Sequence, residues 1–140
     1  MISRAKERLG RHGAYLLVTG CAWVIYGAGV LVDPRPTTIR SAAVLEYLAP
    51  MEIWSMVWIF CGVIAMITSW ARWPFRVELG FAAATLPPLL WALAFTAAWI
   101  FGEYTDAWSG VVIWAAAAAR LLIVAGWPEP VPSLVEVRRG

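Results

Sequence analysis

The sequence predicts an all-α polytopic membrane protein: four transmembrane helices in two antiparallel hairpins, with both termini in the cytoplasm. Three observations lead there. Hydrophobic residues make up 61% and charged residues 14% of the 140, whereas a soluble domain carries just under half apolar and about a quarter charged residues. The apolar residues gather in four continuous runs. Lysine and arginine gather on one side of those runs. A chain this short leaves much of its surface exposed, so the excess apolar surface needs lipid as its solvent.

Residues 1–13 form a short basic arm with Arg4, Lys6, Arg8 and Arg11, suited either to anionic headgroups or simply to setting topology. The first span is 14–32, ended by Asp33-Pro34-Arg35-Pro36. It is too long for a signal-peptide core, it contains Tyr15, Trp23 and Tyr26, and no small-residue cleavage site follows. Residues 33–52 make an outer loop. Thr37 or Thr38 can cap a short interfacial helix there, stopped by Pro50, with Ile39, Ala43, Leu45 and Leu48 resting on the membrane; an ordinary ordered loop is the alternative. The second span is 53–70, an inner loop covers 71–78, the third span is 79–101, an outer turn covers 102–106, the fourth span is 107–126, and 127–140 is a cytoplasmic tail. Each run is close to the ~20 residues that cross ~30 Å of hydrocarbon as a helix. The runs are continuous and do not alternate, which favours helix over barrel strand.

Charge sets the orientation. With alternating spans, Arg4, Lys6, Arg8, Arg11, Arg72, Arg76, Arg138 and Arg139 all fall on one side, and only Arg35 and Arg40 fall on the other. The basic side is the cytoplasmic side of an inner membrane. The ten tryptophans follow the same frame. Trp70, Trp73 and Trp127 fall near the inner interface, and Trp54, Trp99, Trp108 and Tyr104 near the outer one. Trp23, Trp58, Trp91 and Trp114 fall at membrane depth, where each indole N–H should seek a carbonyl or hydroxyl on a neighbouring helix.

Within the spans, Gly13, Gly20 and Gly27 recur every seven residues on one helical face. Such a face lets a second helix approach closely. That helix is another span of the same chain or, alternatively, another copy in a homo-oligomer. Gly62 belongs to a Trp-x-x-x-Gly pattern shared by Trp23–Gly27 and Trp58–Gly62. Pro87-Pro88 removes two backbone donors from the third span and predicts a kink. The carbonyls of Ala83 and Ala84 then need Thr85, water or a neighbouring helix. Arg120 is the one strong charge inside a span, about two turns from the cytoplasmic end or roughly 10 Å by helical rise. It either snorkels to the headgroups or faces other helices.

Other chemistry is excluded by composition. His12 is the only histidine and it lies in the basic arm, so bis-histidine haem, a His-rich metal path and Ser-His-Asp hydrolysis are not expected within this chain. Cys21 and Cys61 lie in apolar runs without a CxxC pair, so neither a metal nor a disulfide framework is expected. There is no phosphate-cradling glycine loop, and a net charge of +2 suggests no nucleic-acid partner. Neither an enzyme nor a cofactor is expected; the expected partner is the lipid bilayer.

The stretches Trp23–Gly27 and Trp58–Gly62, the ending Ala125-Gly126-Trp127-Pro128-Glu129-Pro130, and an Ala/Trp/Arg-rich, Lys-poor composition resemble the small Trp-rich four-span membrane proteins of actinobacterial phages, some of which are regarded as holins. The resemblance implies lateral packing of helices until a lesion opens. Gly20 and Gly27 would be the packing surface, Pro87-Pro88 the shape element and Arg120 a gate or lumen charge. It transfers no catalytic residues. A non-lytic accessory, scaffold or superinfection-blocking membrane protein has the same sequence requirements. A small channel would need a polar lumen, with Thr19, Thr68, Thr85, Thr96 and Arg120 as its candidates.

Overall fold

A computed structural model describes residues 2–33, 43–70, 74–102 and 105–128. Among the described residues every regular element is a helix: α1 (Ile2–Val32), α2 (Ala43–Leu48), α3 (Met51–Thr68), α4 (Pro74–Ile100) and α5 (Ala107–Ala125). Four of them hold stretches long and apolar enough to cross a membrane: Gly10–Val32, Met51–Thr68, Arg76–Ile100 and Ala107–Ala125. At 1.5 Å per residue these measure roughly 27 to 37 Å, against ~30 Å of hydrocarbon.

The helix boundaries follow local chemistry. α1 begins at Ile2, so the basic arm is itself helical, and it is broken at Gly10, whose φ of 63° lies in the left-handed region. Only glycine reaches that conformation without a Cβ penalty. α4 begins at Pro74, where the missing N–H costs nothing because first-turn donors have no helical partner. Arg76 and Glu78 therefore ride on a helix and not on the inner loop expected from the sequence. At the other end of α4, Gly102 takes φ 75° and its N–H reaches the Trp99 carbonyl at 3.4 Å, a left-handed helix stop.

α1 packs along α3, α3 beside α4, and α4 along α5; α1 touches α4 over a smaller area, and α2 rests on α4 and α3. The interior is built from small residues with a few large rings. Ala65, Ala84, Ala98 and Ala107 are fully buried, Ser55, Thr68, Ser69 and Thr85 are buried, and Trp58 and Trp91 have no exposed surface. The exterior carries the large aliphatic and aromatic side chains: Val18, Ile25, Phe60, Ile67, Ile100 and Leu122 are each at least 63% exposed. A water-soluble bundle would reverse this arrangement, because burial of exactly such side chains drives its folding. In lipid the outer side chains are already solvated, and helices associate by close contact between small residues.

The buried hydroxyls bond within their own helices. Ser55 Oγ donates to the Glu52 carbonyl at 2.7 Å, Thr68 Oγ1 to Ile64 at 2.8 Å and Thr85 Oγ1 to Phe81 at 2.7 Å. This keeps each donor satisfied where no water competes.

The expectation for the outer loop needs correction at Leu45. The 43–48 helix exists, but Leu45 is only 5% exposed and packs with Val30, Met51, Trp58 and Trp91. It plugs the end of the bundle, while Leu48 and Tyr47 stay open. Thr37, Thr38 and Ile39 lie outside the described residues.

Candidate functional site

Two features stand out for mechanism: a glycine seam that joins α1 to α3, and a groove between α1 and α5. An aromatic cluster lies between them.

The seam uses three of the glycines singled out in the sequence. A Cβ on Gly20 would stand 2.6 Å from the Gly62 carbonyl oxygen, and a Cβ on Gly62 would stand 2.7 Å from that of Gly20. A Cβ on Gly27 would meet the Ser55 carbonyl at 2.8 Å and Trp58 Cβ at 2.9 Å. The contacts step up α1 and down α3, so the helices cross in opposite directions with their backbones touching. Gly13, one repeat earlier, is also buried. The Trp-x-x-x-Gly pattern thus has a packing reason: Gly27 receives the root of Trp58, and Gly62 receives Gly20 and Val24. Two further close approaches went unread in the sequence, Gly80 against Thr68 and Gly110 against the Phe95 ring. Neither glycine belongs to a helical repeat that would reveal a face.

Trp23, Tyr26, Trp58, Trp91 and Trp114 meet in one cluster. Trp58 lies edge-on to Trp23 at 4.9 Å between centroids and to Trp91 at 5.3 Å; Tyr26 and Trp114 pack on it at 4.6 and 5.1 Å. Edge-to-face contact of this kind is the favourable arrangement for rings.

Both members of Pro87-Pro88 are fully buried, and α4 runs through them from Pro74 to Ile100. Pro88 cannot donate to the carbonyl of Ala84. The Trp23 indole N–H on α1 does so instead, at 2.8 Å. Thr85 does not serve this purpose, because its hydroxyl goes to Phe81. The expected indole–carbonyl bond is therefore met at Trp23. It is not met at Trp58 or Trp91, whose Nε1 atoms are buried without an acceptor among the described residues. Replacing Trp23 by phenylalanine should leave Ala84 without its donor. Interhelical hydrogen bonds in membranes average ~0.6 kcal/mol and reach ~1.7; the value here should lie near the upper end, because the acceptor has no helical donor to return to. Reversible denaturation in mixed micelles measures it.

The interfacial tryptophans divide. Trp70, Trp99, Trp108 and Trp127 are each at least half exposed at the ends of helices, as an anchor requires. Trp54 is half-buried, and its N–H donates to the carbonyls of Leu45 at 2.8 Å and Ala49 at 3.2 Å, holding the end of α2. Trp73 lies outside the described residues.

Arg120 is exposed on α5 and makes no ion pair among the described residues. It lines an open groove of about 270 Å³ together with Tyr15, Thr19 and Trp23 of α1. Of the five candidate lumen residues, only Thr19 and Arg120 come together here. The hydroxyls of Thr68, Thr85 and Thr96 are bound to their own helices.

Compared with known proteins, the chain matches no family model, no curated protein and no solved structure. Length, apolarity and the outward-facing large side chains of the four helices define the class as a multi-pass membrane protein.

Proposed function

We propose that the chain is a non-catalytic protein of the cytoplasmic membrane, threaded as two antiparallel hairpins with both termini inside, and that it permeabilises the membrane in a holin-like way by assembling several copies. The orientation is supported by the basic flanks and by contacts that bring the start of α1 to the end of α5. His12 Nε2 donates to the Val124 carbonyl at 2.9 Å, and the Arg11 guanidinium sits 5.9 Å from the Trp127 ring. The carrying observation is the apolar belt on every span. A single chain with its small residues turned inward offers solutes no path, so permeation requires several copies.

The assembly surface differs from the one the resemblance implies. Gly20 and Gly27 are occupied by α3 of the same chain, so copies would meet through the outer aliphatic faces. The same burial favours a second reading, a non-lytic accessory or superinfection-blocking protein complete as a monomer in the bilayer. Induced expression in bacteria separates the two. Loss of membrane potential followed by arrest of growth supports the holin-like reading. Normal potential at high expression in the membrane fraction refutes it and leaves the second.

A further inference from the structure

We infer that the groove between α1 and α5 is a binding site for the phosphate-bearing headgroup of one anionic phospholipid, held by Arg120 and Arg11. The inference rests on the membrane reading and is independent of lysis.

α1 and α5 are among the spanning pairs that do not pack closely along each other, and they touch only at points such as His12 on Val124. Arg11, Tyr15, Thr19 and Ala22 recur at three- and four-residue steps and therefore form one stripe of α1. Ala117, Leu121, Val124 and Trp127 form the facing stripe of α5. Between them lie two adjoining hollows, about 130 Å³ at the end of the bundle and about 270 Å³ deeper in. Tyr15 lines both, so the two hollows adjoin at its side chain.

Charge and wall chemistry identify the occupant. Arg11 belongs to the outer hollow and Arg120 to the inner one. Both are exposed, and neither has a carboxylate partner among the described residues. The hydroxyls of Tyr15 and Thr19 add donors beside them, while Val18, Ala22, Ala117 and Leu121 make the remaining wall apolar. Arg120 lies five residues before the end of α5 at Ala125, about 7.5 Å along the helix axis. That depth suits the boundary between phosphate and acyl chain. Val18, which lines the deeper hollow, is 70% exposed, so the groove opens toward the hydrocarbon. A ligand arriving that way carries its own apolar tail. A guanidinium pairs with phosphate through two parallel N–H bonds, and a basic pocket between spans is a recognised form of headgroup site.

The test uses the full chain extracted in mild detergent, with native mass spectrometry in the presence of equal phosphatidylglycerol and phosphatidylcholine. The expected result is one retained phosphatidylglycerol, favoured about tenfold, as for a net charge-assisted bond. Arg120→Gln should remove most of that preference, and Arg120→Lys should keep part of it. Arg120 is exposed, so the fold survives either substitution. Val18→Trp, which fills the opening without changing charge, should block retention independently. Equal retention of the two lipids, or retention of phosphatidylglycerol undiminished by both Arg120→Gln and Val18→Trp, overturns the proposal. So does an arm with inorganic phosphate that gives a phosphate adduct and displaces the lipid, since the ligand would then be the free anion. Recovery of every variant in the membrane fraction keeps failure of this site distinct from failure of the membrane reading.

Discussion

Gly20→Leu is expected to abolish the native pairing of α1 and α3, and Gly29→Leu, nine residues along the same helix, is expected to leave it intact. The contrast isolates geometry from composition. Both substitutions raise intrinsic helix propensity, by up to ~1 kcal/mol. At Gly29 a Cβ meets nothing within 4 Å. At Gly20 it would stand 2.6 Å from a backbone carbonyl and 3.0 Å from the Met66 backbone nitrogen. A flexible side chain can swing away, but these atoms belong to the opposing helix, so the helices themselves must separate. Overpacking a tight site costs ~1–3 kcal/mol and occasionally more. A leucine on a backbone-to-backbone crossing should lie at or above the top of that range.

Sodium dodecyl sulfate titration from mixed micelles, followed by tryptophan fluorescence, gives the measurement, because Trp23 and Trp58 meet across this seam. Gly62→Leu should cost as much, and the double variant much less than the sum, since the first substitution already parts the helices. The loss should not depend on protein concentration. A loss that deepens on dilution would mean that Gly20 joins separate copies, and the seam described above would be wrong.

The four spans were legible because lipid imposes a long, unbroken apolar run that nothing in a soluble protein of this size imitates. The seven-residue spacing of Gly13, Gly20 and Gly27 marked a close-packing face for the same reason: it is a local repeat on one helix. What it could not tell is which helix fills that face. Gly62 and Ser55 answer it, and neither is periodic with anything on α1. The Pro88 arithmetic pointed to Ala84 as an orphaned carbonyl, yet the donor, Trp23, lies 61 residues away, and no local rule links them. Leu45 was misread because a hydrophobic residue in a polar loop suits a membrane surface as well as a bundle end. Only the position of Trp91 and Val30 beneath it decides. Arg120 was visible as a charge in a span, but the groove beside it is a gap between two helices at opposite ends of the chain.

Trp58 gives the second large expected effect. Trp58→Ala should destabilise the bundle by about 3 kcal/mol or more, the range for removing a large buried aromatic side chain. Four rings close on this indole, at centroid distances from 4.6 to 5.3 Å, and they come from three of the four spans. Lipid weakens the hydrophobic part of the cost but not the dispersion part, because a void at the centre of the cluster leaves every neighbour without contact atoms on one side. Trp58→Phe should behave quite differently. It keeps a ring against Trp23 and Trp91 and removes a buried N–H that has no acceptor among the described residues; an unsatisfied donor of this kind costs ~1–3 kcal/mol. The lost ring volume and the relieved donor oppose each other, so the net change should stay within ~1 kcal/mol. The same denaturation experiment reads both variants. If phenylalanine proves as damaging as alanine, the Trp58 N–H must be making a bond that holds the cluster together, and the dry, ring-on-ring account of the bundle centre fails with it.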